Sequence, residues 1–272
     1  MRAGGDARHH IEGDVMGLTR TMNGKVVVVT GATLGIGRAT ALMLAEERAD
    51  IVLIARNAER LHALRDEIGA MDVSVEAYSV DVTDAEALDA AITRVAESKG
   101  RLDGLVNNAS SYTYGPVADA SNEQWREAFR GGAEAVFVGT RAAMRIMARQ
   151  GSGSIVNISS TNGLRAMPGM ATYSASKAAI IHLSAVAAME GAPSGVRVNA
   201  IAPGLVETPH AAEFFDTDPA LKLSAESKIP MLRAARAEEI AAPILFLLSD
   251  AAAYVTGTCL NVDGGKAVQL FA

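Results

Sequence analysis

Short β-branched runs separated by helix-forming stretches recur from Lys25 onward, and this alternation constrains the fold more than any other feature. The runs are Val26–Val29, Ile51–Ile54, Val73–Val75, Leu105–Val106, Ile155–Ile158 and Val196–Ile201. Between them lie Gly37–Arg48, Asn57–Ile68, Asp84–Ser98, Ala133–Arg149 and Thr172–Glu190, rich in Ala, Leu, Glu and Arg at helical spacing. Strands that alternate with helices pack as a parallel sheet, because each crossover lays a helix against one of its faces. Runs apolar at consecutive positions suit strands buried on both sides. The expectation is an α/β fold with a doubly wound parallel sheet, built by one domain over residues 23–272.

Composition removes several function classes. The chain has 272 residues, 49% of them hydrophobic and 21% charged, a balance that buries a full core. Its formal charge of −6 offers no basic stripe to a nucleic-acid backbone. Cys259 is the sole cysteine, so neither an intrachain disulfide nor a four-cysteine zinc site is available. The apolar run Ala241 to Leu248 contains a proline and is too short to span a bilayer. Residues 1–22 mix Gly, Arg, Asp, Glu and a His9-His10 pair without the apolar centre of a signal peptide. A flexible N-terminal extension on a cytoplasmic protein is expected, with no metal assigned to the His pair.

The first strand runs into Thr30-Gly31-Ala32-Thr33-Leu34-Gly35-Ile36-Gly37-Arg38, and a helix follows. Glycines at a strand-to-helix turn let the backbone approach a pyrophosphate at the helix N-terminus, where free N–H groups and the dipole favour anions. The pattern alone is a weak signal, and its placement at the first turn strengthens it. An S-adenosylmethionine-dependent methyltransferase is a competing use of such a turn. The second strand ends Leu53-Ile54-Ala55-Arg56. A carboxylate here would accept from the ribose 2′-OH of NAD; a guanidinium instead suits a 2′-phosphate. Asp81-Val82 is expected to close the third strand, where the carboxylate would meet the adenine amino group or simply cap the next helix.

Tyr173 and Lys177 stand one helical turn apart on one face. An unassisted phenol titrates near ~10 and is a poor acid or base at neutrality until a cation stabilises its phenolate. Ser159-Ser160 ends the strand Ile155–Ile158, on the sheet edge where open α/β folds bind ligands. A hydroxyl there steadies a substrate carbonyl while the phenol protonates it.

These motifs together resemble the short-chain dehydrogenase/reductase family in its compact single-domain branch. The resemblance spans about Lys25 to Gly265. It is carried by Thr30-Gly31, Gly35-Ile36-Gly37, Asp81-Val82, Asn107-Asn108-Ala109, Ser160, Tyr173 with Lys177, Pro203-Gly204 and Val262-Asp263-Gly264-Gly265. It implies a Rossmann fold with strand order 3-2-1-4-5-6-7. It implies catalysis by Ser160 (carbonyl polarisation), Tyr173 (general acid or base) and Lys177, which holds the nicotinamide ribose and depresses the tyrosine pKa. Gly31, Thr33, Gly35, Ile36, Gly37, Arg56, Asp81, Val82, Tyr173 and Lys177 are the expected cofactor contacts. Asn107 and Ala109 would line the adenine-side ribose, and Pro203, Gly204, Val206 and Thr208 the carboxamide end. The segment at about 205–230 would cover the substrate. NADP(H) is expected over NAD(H), as is a homotetramer or homodimer built through the two long helices.

The chain also departs from the family. The family's active-site Asn is replaced by Gly132, and no Asn occurs between Glu123 and Val156. Tandem Gly131-Gly132 should break the helix and leave the Gly132 carbonyl free to hold a water near Lys177. Activity as a carbonyl reductase is expected, with a non-catalytic NADP(H) sensor as the alternative. Met167, Met170 and Phe214-Phe215 read equally as an apolar substrate pocket or as core. His210 is placed to meet a polar substrate or solvent, and His182 reads as an ordinary helix residue.

Overall fold

Valine and isoleucine carry the sheet. A computed structural model describes residues 22–216 and 218–268. The first half of the chain forms β1 (Val26–Thr30), α1 (Gly35–Glu46), β2 (Asp50–Ala55), α2 (Ala58–Gly69), β3 (Val75–Ser79), α3 (Ala85–Lys99) and β4 (Gly104–Asn107). The second half adds α4 (Asn122–Phe129), α5 (Ala135–Gln150), β5 (Gly153–Ile158), α6 (Ala171–Gly191) and β6 (Val196–Pro203). Two short helices, α7 (Pro209–Phe215) and α8 (Pro219–Ser227), precede α9 (Ala237–Leu248) and β7 (Cys259–Val262). All pairs are parallel, in the order β3-β2-β1-β4-β5-β6-β7. The chain winds outward from β1 to β3 and then returns to the other side of β1, so the sheet reverses direction between β1 and β4. Ligands of open α/β folds bind beyond the strand ends at such a reversal.

Alternation along β1 divides the core between the two faces. Val27 and Val29 join Leu44, Leu61 and Leu247 on one side, while Val26 and Val28 join Leu88, Ile92 and Met147 on the other. Each such side chain contributes ~1.5–3 kcal/mol when buried. Helix ends follow local chemistry: Asn57 Oδ1 accepts from the Arg60 N–H at 2.8 Å to start α2, and Asp84 Oδ1 from the Ala87 N–H at 3.0 Å to start α3.

Three expectations are corrected. Met22, assigned to the N-terminal extension, is 1% exposed and packs in the core; the remainder of that extension lies outside the described residues. The third strand is Val75–Ser79 rather than Val73–Val75. It is an edge strand, half-buried along its length, so Glu76, Tyr78 and Ser79 satisfy it without an apolar run. Asp81 therefore falls beyond the strand, in a turn, where its Oδ1 accepts from the Thr83 amide and hydroxyl, both at 2.9 Å.

The helix does change character at Gly131-Gly132. Arg130–Glu134 forms a π-helical turn that joins α4 to α5. The expectation of a free carbonyl is not met as stated, because the Gly132 oxygen accepts from the Ala135 N–H. The glycine has a packing reason too: a Cβ at residue 132 would run into Ser176 Oγ. That buried hydroxyl accepts from the Ala133 N–H at 3.0 Å and fastens the π-turn to α6. Gly132→Ala is expected to cost ~1–3 kcal/mol as overpacking. Ser176→Ala is expected to cost about 1 kcal/mol for the lost hydrogen bond. The double variant should cost less than their sum by ~0.5 kcal/mol or more, measured by urea denaturation; strict additivity would show that the two positions do not collide.

Candidate functional site

The turn after β1 and the segment after β4 approach each other closely, and side chains lock the approach. Thr30 Oγ1 accepts from the Asn108 and Ala109 amides at 3.0 and 3.2 Å. Asn108 Nδ2 donates to the carbonyls of Thr30 and Gly31, both at 3.1 Å. Gly31 has φ +62°, and a Cβ there would stand 2.8 Å from Ala109 Cα, so only glycine fits. A Cβ on Gly37 would run into the Gly31 carbonyl. Leu34 precedes α1 without a side-chain cap, which leaves the helix N–H groups open.

A cavity of about 310 Å³ lies over this turn. Gly31, Thr33, Gly35, Ile36, Arg56, Asp81, Val82 and Ala109 all line it, as expected. Gly37 does not; its role is the close packing just described. Asn107 is the clearer departure. Its side chain is buried and bonds Asn157 Oδ1 at 2.8 Å and Thr140 Oγ1 at 3.3 Å, tying β4 to β5 and α5, while its neighbour Asn108 faces the cavity. Arg60 also lines the cavity and was missed; its place one turn after Arg56 was the available signal. Arg56 Nη1 stands 3.7 Å from Asp81 Oδ2 with its side chain 73% exposed, so the pair is loose and solvent-screened. Partial burial pushes the Asp81 carboxyl up, but the Thr83 hydrogen bonds and Arg56 outweigh it and hold the pKa below the usual value.

A second cavity, about 470 Å³, shares Ile36, Asn108, Ser110, Tyr112, Thr208 and His210 with the first. Ser160, Tyr173 and Lys177 line it together with Pro203, Gly204, Val206 and Thr208. Lys177 Nζ donates to the Ile158 carbonyl at 2.9 Å and lies 5.5 Å from the Tyr173 ring centre. Ser159 and Ser160 are separated by their partners. Ser159 is buried and donates to the Lys177 carbonyl at 2.7 Å, a structural tie between β5 and α6. Ser160 Oγ accepts from the Asn162 amide at 3.1 Å and stays in the cavity wall.

Burial pushes the Tyr173 phenol well above its ordinary pKa, with Tyr112 adding to the rise and Ser160 opposing it. Lys177 is not among the groups that act on this phenol in the cofactor-free protein. The reason is that burial also drives Lys177 down, to about 7, so its cation is itself disfavoured. Burial thus keeps the Tyr173 phenol protonated at neutral pH.

Met167, Met170, Phe214 and Phe215 all line the cavity, and Met170 is at the same time buried in the packing beside it. Tyr112 and Tyr114 line it as well and were missed. They lie on an irregular loop, where no periodicity marks a side chain's direction. Tyr112 stacks on Tyr173 with centroids 5.2 Å apart and on His210 at 4.0 Å.

Comparison with known proteins agrees with this geometry. A family model described as enoyl-(acyl carrier protein) reductase matches residues 31–267. The chain is 36% identical over 247 residues to the 3-oxoacyl-(acyl-carrier-protein) reductase FabG of Thermotoga maritima, covering 91% of this chain and 99% of that one. A solved short-chain type dehydrogenase/reductase from Mycobacterium marinum superposes with TM-score 0.85 at 31% identity, over 91% of this chain and 97% of the other. A variant of actinorhodin polyketide ketoreductase, solved with NADPH, gives TM-score 0.86 at 32% identity, over 90% and 98%. With these matches across the motifs and the sheet, the chain belongs to the short-chain dehydrogenase/reductase family and is an oxidoreductase of that class.

Proposed function

We propose that the protein interconverts a ketone or aldehyde with its alcohol, using NADP(H), with Tyr173 as the proton donor and acceptor. The observation that carries this reading is the convergence of Ser160, Tyr173 and Lys177 in a cavity that shares its wall with the glycine-turn cleft. The residues fit a dinucleotide. The uncapped N-terminus of α1 would meet a pyrophosphate, and Gly31 and Gly35 let this turn pack against Ala109 and Thr208, where a Cβ would collide. Arg56 and Arg60 would hold a 2′-phosphate at the other end of that cleft. When bound, the nicotinamide supplies or accepts the hydride.

The protein's own residues handle the oxygen. Ser160 donates to the substrate carbonyl and orients it toward Tyr173. Tyr173, held protonated by burial, gives its proton to the oxygen as the carbonyl becomes an alcohol, and takes it back in the reverse direction. Lys177 would hold the ribose hydroxyls and stabilise the transient phenolate. The Ser159 contact with the Lys177 carbonyl and the Ser176 contact with the π-turn hold this part of α6 in place. Residues 205–230, with α7 and α8, would cover the substrate; Phe214 and Ala225 from these helices already line the cavity. Exposed Phe137 on α5 and Val186 and Met189 on α6 suit an interface between copies of the chain, as in a homotetramer or homodimer.

Tyr173→Phe is expected to lower carbonyl turnover by at least about a hundredfold, while nucleotide affinity from fluorescence titration changes little. Substantial remaining turnover would remove Tyr173 from the proton transfer. Arg56→Ala is expected to weaken NADPH binding about ten- to hundredfold and to leave NADH binding nearly unchanged. Tighter binding of NADH than NADPH by the unaltered protein would overturn the cofactor assignment.

Lys177 also makes stability depend on pH. Its pKa is about 7 when folded against an ordinary 10.5. Between these values the unfolded chain holds more protons, so stability rises with pH; below about 7 the full cost of burying the charge is present. At ~1.4 kcal/mol per pKa unit, Lys177→Met should stabilise the cofactor-free protein by a few kcal/mol near neutrality. The gain should shrink as pH rises through the window toward the ordinary lysine value. Denaturant midpoints at several pH values check this, and a gain that grows with pH would contradict it.

A further inference from the structure

The aromatic residues are unevenly distributed. The chain holds only five Tyr, six Phe and one Trp, yet Tyr112, Tyr114, Tyr173, Phe214 and Phe215 all line the one cavity that contains Ser160 and Lys177. They arrive from three separate segments: the loop after β4, the start of α6, and α7. Ring contacts link four of them with His210, and Phe215 stands edge-on to Phe214 at 83°. Tyr112 lies against Tyr173 at 5.2 Å and 18°, and against His210 at 4.0 Å and 26°. Tyr114 lies 6.3 Å and 21° from His210 and 5.7 Å and 19° from Phe214. The ring planes are therefore nearly parallel from Tyr173 outward to Phe214.

Several features distinguish this wall from ordinary core. Tyr112, Tyr114 and Phe214 are 43%, 43% and 48% exposed, so their rings border open space. The polar tips are used within the wall: Tyr114 Oη and His210 Nε2 are 3.0 Å apart. That contact fixes the ring planes and leaves apolar surface toward the cavity. Met167, Pro168 and Met170 line the same space, and thioethers adapt readily to the face or edge of a ring. Among the described residues lining the cavity, none is Asp or Glu.

Resting on the carbonyl–alcohol reading above, we infer that the substrate is a ring-bearing ketone, aromatic or fused-ring, selected by the aromatic wall of Tyr112, Tyr114 and Phe214. The cavity of about 470 Å³ would hold the nicotinamide end along Val206 and Thr208, and the aromatic wall borders the part left for the ketone. A flat, rigid ligand gains offset or edge-to-face contacts with fixed rings and loses few rotors on binding. A linear acyl chain gains no directional contact from ring planes and surrenders more freedom. The proposal adds no chemical step; it assigns Tyr112, Tyr114 and Phe214 as specificity-determining residues for the oxidoreduction already described.

The test compares α-tetralone with a straight-chain methyl ketone of equal carbon number and with a linear 3-oxoacyl thioester. Turnover is followed with NADPH and with NADH, and binding to the cofactor-free protein by calorimetry. The expected result is at least a tenfold preference in kcat/KM for α-tetralone, with tighter calorimetric binding of the same ketone. Tyr112→Leu should lower the ring-to-linear ratio about tenfold, ~1.4 kcal/mol, chiefly through KM. Tyr112→Phe, which keeps the ring, should retain the ratio. Phe214→Leu, at an exposed position, supplies a second variant should Tyr112→Leu fail to fold, and should lower the ratio in the same direction. Preference for the linear thioester, or a ratio unmoved in both leucine variants, would overturn the ring assignment and leave the reductase reading intact. Absence of turnover on all three carbonyls with both cofactors would count against the reductase reading instead. Calorimetric selectivity would then decide the ring assignment by itself.

Discussion

The close approach of the β1 turn to the segment after β4 is the constraint on which the site depends. The sheet reverses there, and the two backbones meet with no side chain between them at Gly31. Thr30 and Asn108 convert that approach into a rigid joint, each bonding backbone groups on the opposite segment. The joint sets the direction in which α1 leaves the sheet, and hence where its open N–H groups point. It also sets where residues 109–116 begin, and so carries Tyr112 and Tyr114 to the second cavity.

A second set of ties places Tyr173 and Lys177. Lys177 is buried, which is costly for an ammonium, and its donation to the Ile158 carbonyl offsets part of that cost. Ser159 holds the Lys177 carbonyl, while Ser176, the preceding residue, holds the π-turn beside α5. Three structural units, β5, α6 and the π-turn, are thereby fixed around one side chain. Packing rather than charge decides the geometry, because burial works against ionisation at both Tyr173 and Lys177. Gly132 belongs to this arrangement: without a Cβ it leaves room for the Ser176 hydroxyl that the bulged backbone needs.

Much of this was legible beforehand. Apolar runs on β1 and β2, and largely apolar ones broken by Asn157, Arg197 and Asn199 on β5 and β6, announced buried parallel strands, since each face of the sheet is covered. The run Val73–Val75 meets the edge strand β3 only at its first residue, because an edge needs fewer apolar residues, and Asp81, expected to close that strand, sits in a turn. Asn107 and Asn108 show a finer limit. Adjacent residues of identical type point to opposite environments, one into the sheet and one toward the cavity, and type alone does not distinguish them.

The sequence by itself determined the parallel sheet, the glycine turn, and the candidate group of Ser160, Tyr173 and Lys177. These rest on local spacing and on hydrophobic period, both of which are written along a single segment. Only the tertiary structure showed that the Ser159 hydroxyl is taken up by the Lys177 carbonyl, what Gly132 makes room for, and that burial leaves Tyr173 protonated. It alone assembled Tyr112, Tyr114, His210 and Phe214 into one wall. Those properties depend on contacts between segments up to about a hundred residues apart, such as Tyr114 with His210, and on the solvent that packing excludes.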